Sequence, residues 1–199
     1  MEKIESLETL VISQQKEWSE ILTGFEAVNN YIILDTDKNP LYVASEWDRS
    51  FLERIFLKSL RPFTIYISDL DGKRLLILHR SFKFYFHKLE VYDPNWNYLG
   101  AVERRFSVFQ RRYSVLNNLG YEIFHLFGPI IHPWTFLIKT PDREIGKITK
   151  KWSGLLKEAF TKTDNFGITF PADLKLEYKI ILLGAVFLID FVHFEKDNN

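Results

Sequence analysis

The sequence predicts a mainly β protein whose antiparallel strands curl into a barrel around a single hydrophobic C-terminal helix. Three observations carry that expectation. Aromatic residues make up 16% of the 199 residues, and Phe alone occurs 18 times, a composition suited to half-buried pleated surfaces. From Tyr31 to about Trp152, short runs of alternating apolar and polar side chains are separated by turn residues, with nothing helical between them. Ile180 to Ile189 is an unbroken apolar run; as a helix it is hydrophobic all round and must be enclosed.

In chain order, residues 1–26 read as an N-terminal helical segment and residues 27–199 as the barrel. Leu7, Leu10, Val11, Gln14, Trp18, Ile21 and Leu22 share one helical stripe, broken only at Gln14, and Gly24 follows as a stop. Its polar face carries Glu8, Glu17 and Glu20 beside Lys16. Membrane-surface helices are rich in Lys and Arg there, so an amphipathic helix packed on the domain is expected instead. Phe63, Ile65 and Ile67 then alternate with Thr64, Tyr66 and Ser68, and Trp134, Phe136 and Ile138 with Thr135, Leu137 and Lys139. Tyr121, Ile123, His125 and Phe127 repeat the period. Turns are marked at Asp35–Pro40, Asp71-Gly72, Asp93-Pro94-Asn95, Asn117-Asn118 and Pro141-Asp142. Asp71-Gly72 is the clearest hairpin, because both residues tolerate positive φ. Between Phe82 and Tyr92 the alternation changes phase, from Phe82, Phe84 and Phe86 to Leu89 and Val91. A one-residue slip turns every side chain over, so a bulge or strand break is expected near His87–Lys88.

The helix is placed at about residues 174–194. Its ten-residue apolar run rises only about 15 Å, against a hydrocarbon layer of roughly 30 Å. Extension to Phe194 would bring Asp190 into lipid, at about 2.5–3.5 kcal/mol near the bilayer centre. A barrel interior is therefore the expected enclosure. Asp190 then needs a polar partner or a place at the barrel mouth.

Composition narrows the function. The formal net charge is zero, from 26 basic and 26 acidic side chains, whereas nucleic-acid binders usually carry a basic surplus; no nucleic-acid partner is expected. There is no cysteine, which excludes disulfides, thiolate metal sites, Cys nucleophiles and S-palmitoylation. Met1-Glu2-Lys3-Ile4-Glu5 has the character of neither a signal nor a transit peptide, and Glu2 precludes myristoylation; the default compartment is the cytoplasm. No nucleophile elbow, zinc-protease motif or dinucleotide fingerprint occurs, and Gly146-Lys147 lacks the flanks of a phosphate loop. His79, His87, His125, His132 and His193 show no metal-ligand spacing. No catalytic residue is assigned, and the chain is expected not to be an enzyme.

Gly146-Lys147-Ile148-Thr149-Lys150-Lys151-Trp152-Ser153-Gly154 resembles the signature of the phospholipid scramblase family. The likeness continues through Glu158-Ala159-Phe160-Thr161, Asp164-Asn165-Phe166-Gly167-Ile168, Phe170-Pro171 and Gly184–Phe191. Upstream it includes Thr23-Gly24-Phe25-Glu26, Asn30-Tyr31-Ile32 and Arg61-Pro62-Phe63-Thr64. The resemblance implies a tubby-like fold, a closed antiparallel barrel of about twelve strands around a central helix. It also implies calcium-stimulated, non-specific phospholipid movement between leaflets, with phosphoinositide binding among tubby relatives. The family's calcium segment aligns with Lys162–Asp173. Of the positions a twelve-residue calcium loop requires, only Asp164, Gly167 and Asp173 fit. Lys162 stands at the first ligand position and repels Ca²⁺, so tight calcium binding is not expected; the plain alternative is a turn and strand with Asp173 as helix N-cap.

For an acidic membrane surface the candidates are Arg104, Arg105, Arg111 and Arg112, which flank Phe106, Val108 and Phe109, together with Lys147, Lys150 and Lys151 before Trp152. Each basic residue near an anionic leaflet contributes about 1 kcal/mol. Acidic phospholipids are thus the expected partners, with the protein peripheral on the cytoplasmic face of a membrane. The alternative is a non-catalytic protein-interaction module using the barrel exterior.

Overall fold

A computed structural model describes residues 1–14, 30–47, 62–82, 87–108, 110–150 and 165–194. The strands are β1 (Thr9–Gln14), β2 (Asn30–Leu34), β3 (Pro40–Trp47), β4 (Phe63–Ser68), β5 (Arg74–Arg80), β6 (Lys88–Tyr92), β7 (Tyr98–Arg105), β8 (Arg111–Asn117), β9 (Glu122–Gly128), β10 (Thr135–Lys139), β11 (Glu144–Lys150) and β12 (Asn165–Thr169). Each pairs antiparallel with its sequence neighbours, and β1 also pairs with β12, which closes the sheet. Among the described strands no edge is left for another chain to pair with. A single α-helix among the described residues, α1 (Leu176–His193), runs through the interior, within two residues of the predicted span.

Residues 179–189 of α1 are all buried, with no apolar member more than 8% exposed. The enclosing wall comes from one face of each strand: Phe63, Ile65 and Ile67 on β4, Leu76 and Leu78 on β5, Leu89 and Val91 on β6, Phe136 and Ile138 on β10. Two glycines, one on α1 and one on the wall, allow close approach between them. A Cβ at Gly184 of α1 would sit 3.0 Å from Leu89 Cδ2 and 3.1 Å from Val91 Cγ2; one at Gly100 of β7 would sit 2.5 Å from Ile181 Cδ1. Asp190 has both features anticipated for it: it accepts a hydrogen bond from Tyr31 Oη at 3.1 Å, and it lies in the last turn of α1, where the helix reaches the barrel mouth.

One turn is used four times. Asp35, Asp69, Asp93 and Asn117 each accept, on Oδ1, the backbone N–H groups two and four residues ahead, at 2.8–3.1 Å. Three residues on, the backbone turns to positive φ, at Lys38 (69°), Gly72 (84°), Trp96 (65°) and Gly120 (82°). The register shifts by one residue beside each turn. The short Asx side chain thus supplies the acceptor the tightened backbone lacks.

Three expectations need correction. Residues 9–14, assigned to an N-terminal helix, are strand β1 between β12 and β2, preceded by a single 3-10 turn at Glu2–Ile4. Leu10 and Ile12 face the core, while Val11 joins Ile32 and Leu34 in a second cluster on the other face, so a strand apolar on both sides imitates a helical stripe. The rest of that stripe, at residues 15–24, lies outside the described residues. On β9 the period is as expected, but Phe124, Leu126 and Gly128 face inward rather than Ile123, His125 and Phe127. Asp173 is not the N-cap: α1 begins after Lys175, and Asp173 is exposed in the preceding turn. The strand break near His87–Lys88 is present, since β6 starts at Lys88.

Two substitutions test this geometry by chemical denaturation. Lys38→Gly relieves a left-handed conformation on an exposed turn and should raise stability by about 0.5–1 kcal/mol. Gly146→Ala places a Cβ 2.0 Å from the Thr169 carbonyl oxygen across the β11–β12 pair and should cost about 1–3 kcal/mol. No change in either would contradict the strand and turn geometry.

Candidate functional site

The meander gives the barrel two unlike ends. The short turns after β2, β4, β6, β8 and β10 gather at one end with the start of α1. There Lys179, which is 0% exposed, donates from Nζ to the backbone carbonyls of Leu7 and Ala172, each at 2.9 Å, and to that of Glu5. This ammonium ties the N-terminal segment and the loop before α1 to the helix. Burial draws its pKa down, and Asp173, Glu5 and Glu8 pull it back up.

The other end holds the C-terminus of α1 and, among the described residues, the loop residues that follow β5, β7 and β9. Cations and rings concentrate there. Arg80, 1% exposed, lies 4.4 Å from the Phe191 ring centroid, and Lys150, 3% exposed, lies 4.5 Å from that of Phe194. Trp134 stacks on Phe194 at 5.4 Å. Arg80 Nη2 donates to His87 Nδ1, and the Tyr113 hydroxyl and His193 Nε2 share a hydrogen bond of 2.8 Å. Both imidazoles are held neutral. Desolvation and the charges of Arg80 and Arg104 lower His87 to about 4, while desolvation and the charges of Arg111, Arg104 and His87 lower His193 to about 3. Burial is the larger cause for both rings, and the arginine charges at this end add to it.

The candidate basic residues divide by role. Arg105 closes β7 and pairs across the sheet with Arg112. Arg105 Nε donates to Ser114 Oγ at 2.7 Å, and its guanidinium lies 3.5 Å from Glu103 and 3.9 Å from Glu122. Arg112 is exposed and held at 2.8 Å by Gln110 Oε1, a neutral partner; Arg104 is half-buried. Among the described residues, neither Arg104 nor Arg112 has a carboxylate within ion-pair distance. Arg111 is committed to structure, donating to the carbonyls of Pro129 (3.1 Å), His132 (3.3 Å) and Pro133. Lys147 is exposed on the wall of β11, whereas Lys150 points inward; Lys151 lies outside the described residues. The structure thus gathers the arginines, while Lys147 and Lys150 face opposite sides of β11.

Of the calcium segment, Asp164 lies outside the described residues, and residues 165–169 are strand β12, paired on both sides. Asp173 follows four residues after the strand ends. Among the described residues, no three acidic or histidine side chains come together in a way that could hold a metal. Sequence reasoning missed the inward cations Arg80, Lys150 and Lys179. Strand parity reveals two of them: Arg80 is in phase with Leu76 and Leu78, and Lys150 with Ile148.

A closed twelve-strand antiparallel barrel threaded by one helix is the tubby-like architecture. The X-ray structure of an Arabidopsis thaliana protein shares the fold, with a TM-score of 0.54, 14% identity and 94% of each chain covered. The family model described as Scramblase matches residues 1–196, and the chain belongs to that family. It is 34% identical over 213 residues to phospholipid scramblase 1 of Mus musculus, covering 100% of this chain and 65% of that one. Against phospholipid scramblase 1 of Homo sapiens it is 33% identical over 210 residues, covering 98% and 66%. Against phospholipid scramblase 2 of Bos taurus it is 34% identical over 209 residues, covering 98% and 71%. The chain spans just under two thirds of the length of both scramblase 1 proteins.

The neutral histidines set a pH dependence. Their folded pKa values lie below the ordinary 6.5, so between about 4 and 6.5 the unfolded chain binds more protons than the folded one. Stability present above pH 6.5 is then lost as pH falls, by up to about 1.4 kcal/mol per pH unit for each histidine. Thermal melts between pH 7 and 5 should show this loss, and His193→Gln should lessen it. An unchanged pH slope in that variant would contradict a buried neutral His193.

Proposed function

We propose that this protein binds membrane phospholipids through the end of the barrel where α1 terminates, and acts there as a scramblase-like protein without covalent chemistry. The observation that carries this is the gathering of Arg104, Arg105 and Arg112 at that end, two of them free of carboxylate partners among the described residues. Family membership supplies the ligand class, since the curated relatives are named phospholipid scramblases. The two guanidiniums without a carboxylate partner contribute about 2 kcal/mol at an anionic leaflet, in keeping with weak, reversible, peripheral attachment on a cytoplasmic face. No helix among the described residues is long and apolar enough to cross a membrane. Lipid movement, on this reading, proceeds by local disturbance of the bilayer against the barrel end and not along α1. Attachment needs no calcium, because Lys162 stands where the family's calcium segment needs a ligand.

Co-sedimentation with vesicles of graded phosphatidylserine content is the test. Binding should rise with anionic lipid, fall with salt and ignore chelators, and Arg104→Ala/Arg112→Ala should weaken it by about 2 kcal/mol, roughly thirtyfold. Equal binding to neutral and acidic vesicles would contradict the arginine site. A strict calcium requirement would overturn the calcium-independent part.

A further inference from the structure

Two adjoining loops at this end carry side chains that turn chemistry does not call for. Tight turns favour Gly, Asn, Asp, Ser and Pro, for reasons of backbone geometry and local hydrogen bonding. Between β9 and β10, His132 N–H donates to Pro129 O at 3.3 Å, and the two corners of that turn are Ile130 and Ile131, 67% and 82% exposed. Between β7 and β8, Phe106 and Val108 are 81% and 72% exposed. Scattered exposed apolar residues, such as Leu119 and Tyr121 at the opposite end, are ordinary; four aliphatic and aromatic side chains on two loops at one end call for a reason.

Arg111 makes the two loops one unit. From the first residue of β8 its guanidinium reaches across to three carbonyls of the β9–β10 loop and lies 4.5 Å from the Phe136 ring centroid. Pro129 and Pro133 stiffen that loop further, so insertion into an apolar phase costs little ordering entropy. Where the loops meet the strands the chemistry changes. Trp134, 39% exposed, directly precedes β10, and the exposed Arg105 and Arg112 stand at the facing ends of β7 and β8. Trp and Arg are the residues that settle at the headgroup level of a bilayer, with apolar side chains below them.

We propose that Phe106, Val108, Ile130 and Ile131 form a preorganised wedge that inserts beneath the phosphate level of an anionic leaflet, with Arg105, Arg112 and Trp134 holding the headgroup layer. This rests on the phospholipid reading above and adds a depth and an orientation to it. The occupant is a bilayer and not a protein groove, because the apolar side chains sit on exposed loops beside Arg112, a guanidinium suited to phosphate whose one polar partner among the described residues is the neutral Gln110.

The chain has no cysteine, so Ile131→Cys and Leu119→Cys each give a single site for an environment-sensitive fluorophore. On phosphatidylserine-containing vesicles the probe at 131 should shift to the blue and be quenched by nitroxides on the lipid chains, while the probe at 119 should not respond. Ile130→Ser/Ile131→Ser, measured without label, should lower vesicle partitioning by about tenfold or more, and the loss should persist at high salt. A probe at 131 that stays in water on bound protein, or a double variant that binds like the parent, overturns the wedge while leaving the arginine site standing. Failure of the parent to bind any anionic vesicle defeats both.

Discussion

The structure depends on one constraint: a helix that is apolar all round has to be surrounded on every side. The run from Ile180 to Ile189 meets it by threading a sheet whose first and last strands pair. Enclosure in turn dictates details elsewhere. Gly184 and Gly100 let helix and wall approach more closely than any larger residue permits, and most inward positions from β1 to β12 are filled by branched and aromatic side chains. Interiors are close-packed, so such a helix is not easily withdrawn.

A threaded barrel must also close its two ends, and it does so with different chemistry. At the tight-turn end a buried lysine satisfies backbone carbonyls, and the four Asx turns keep the rim short. At the other end cations lie on aromatic rings, and two imidazoles are kept neutral by burial and, to a lesser degree, by arginine charge. The first end is built for stability. The second carries the buried cations and the exposed apolar loop residues on which the lipid proposal rests.

Much of this was legible in residue order, and the misses have physical causes. The all-round apolar run and the alternation in Phe63–Ser68 each have one structural solution, so the barrel and its helix followed from pattern. The stripe from Leu7 to Gln14 did not, because over six residues a strand buried on both faces and an amphipathic helix share their apolar positions; the β-branched pair Val11-Ile12 was the better signal. The arginines were found as a cluster because a hairpin end brings both sequence neighbours together. Lys147 and Lys150 were not separated, although three residues along a strand reverse the face. Which loops share an end depends on sheet order, so the tie that Arg111 makes from the start of β8 to the β9–β10 loop could not be read from sequence alone.

Enclosure of α1 shapes the functional account, since a helix sequestered in its own barrel offers no path for lipid across a bilayer. The most direct test is photo-cross-linking from phospholipids with a carbene precursor on the acyl chain, followed by peptide mapping of the vesicle-bound protein. The account predicts adducts within residues 106–108 and 130–134 and none within 180–189. Adducts on the 180–189 helix would show that it leaves the barrel for lipid and would contradict the enclosed architecture as the working state.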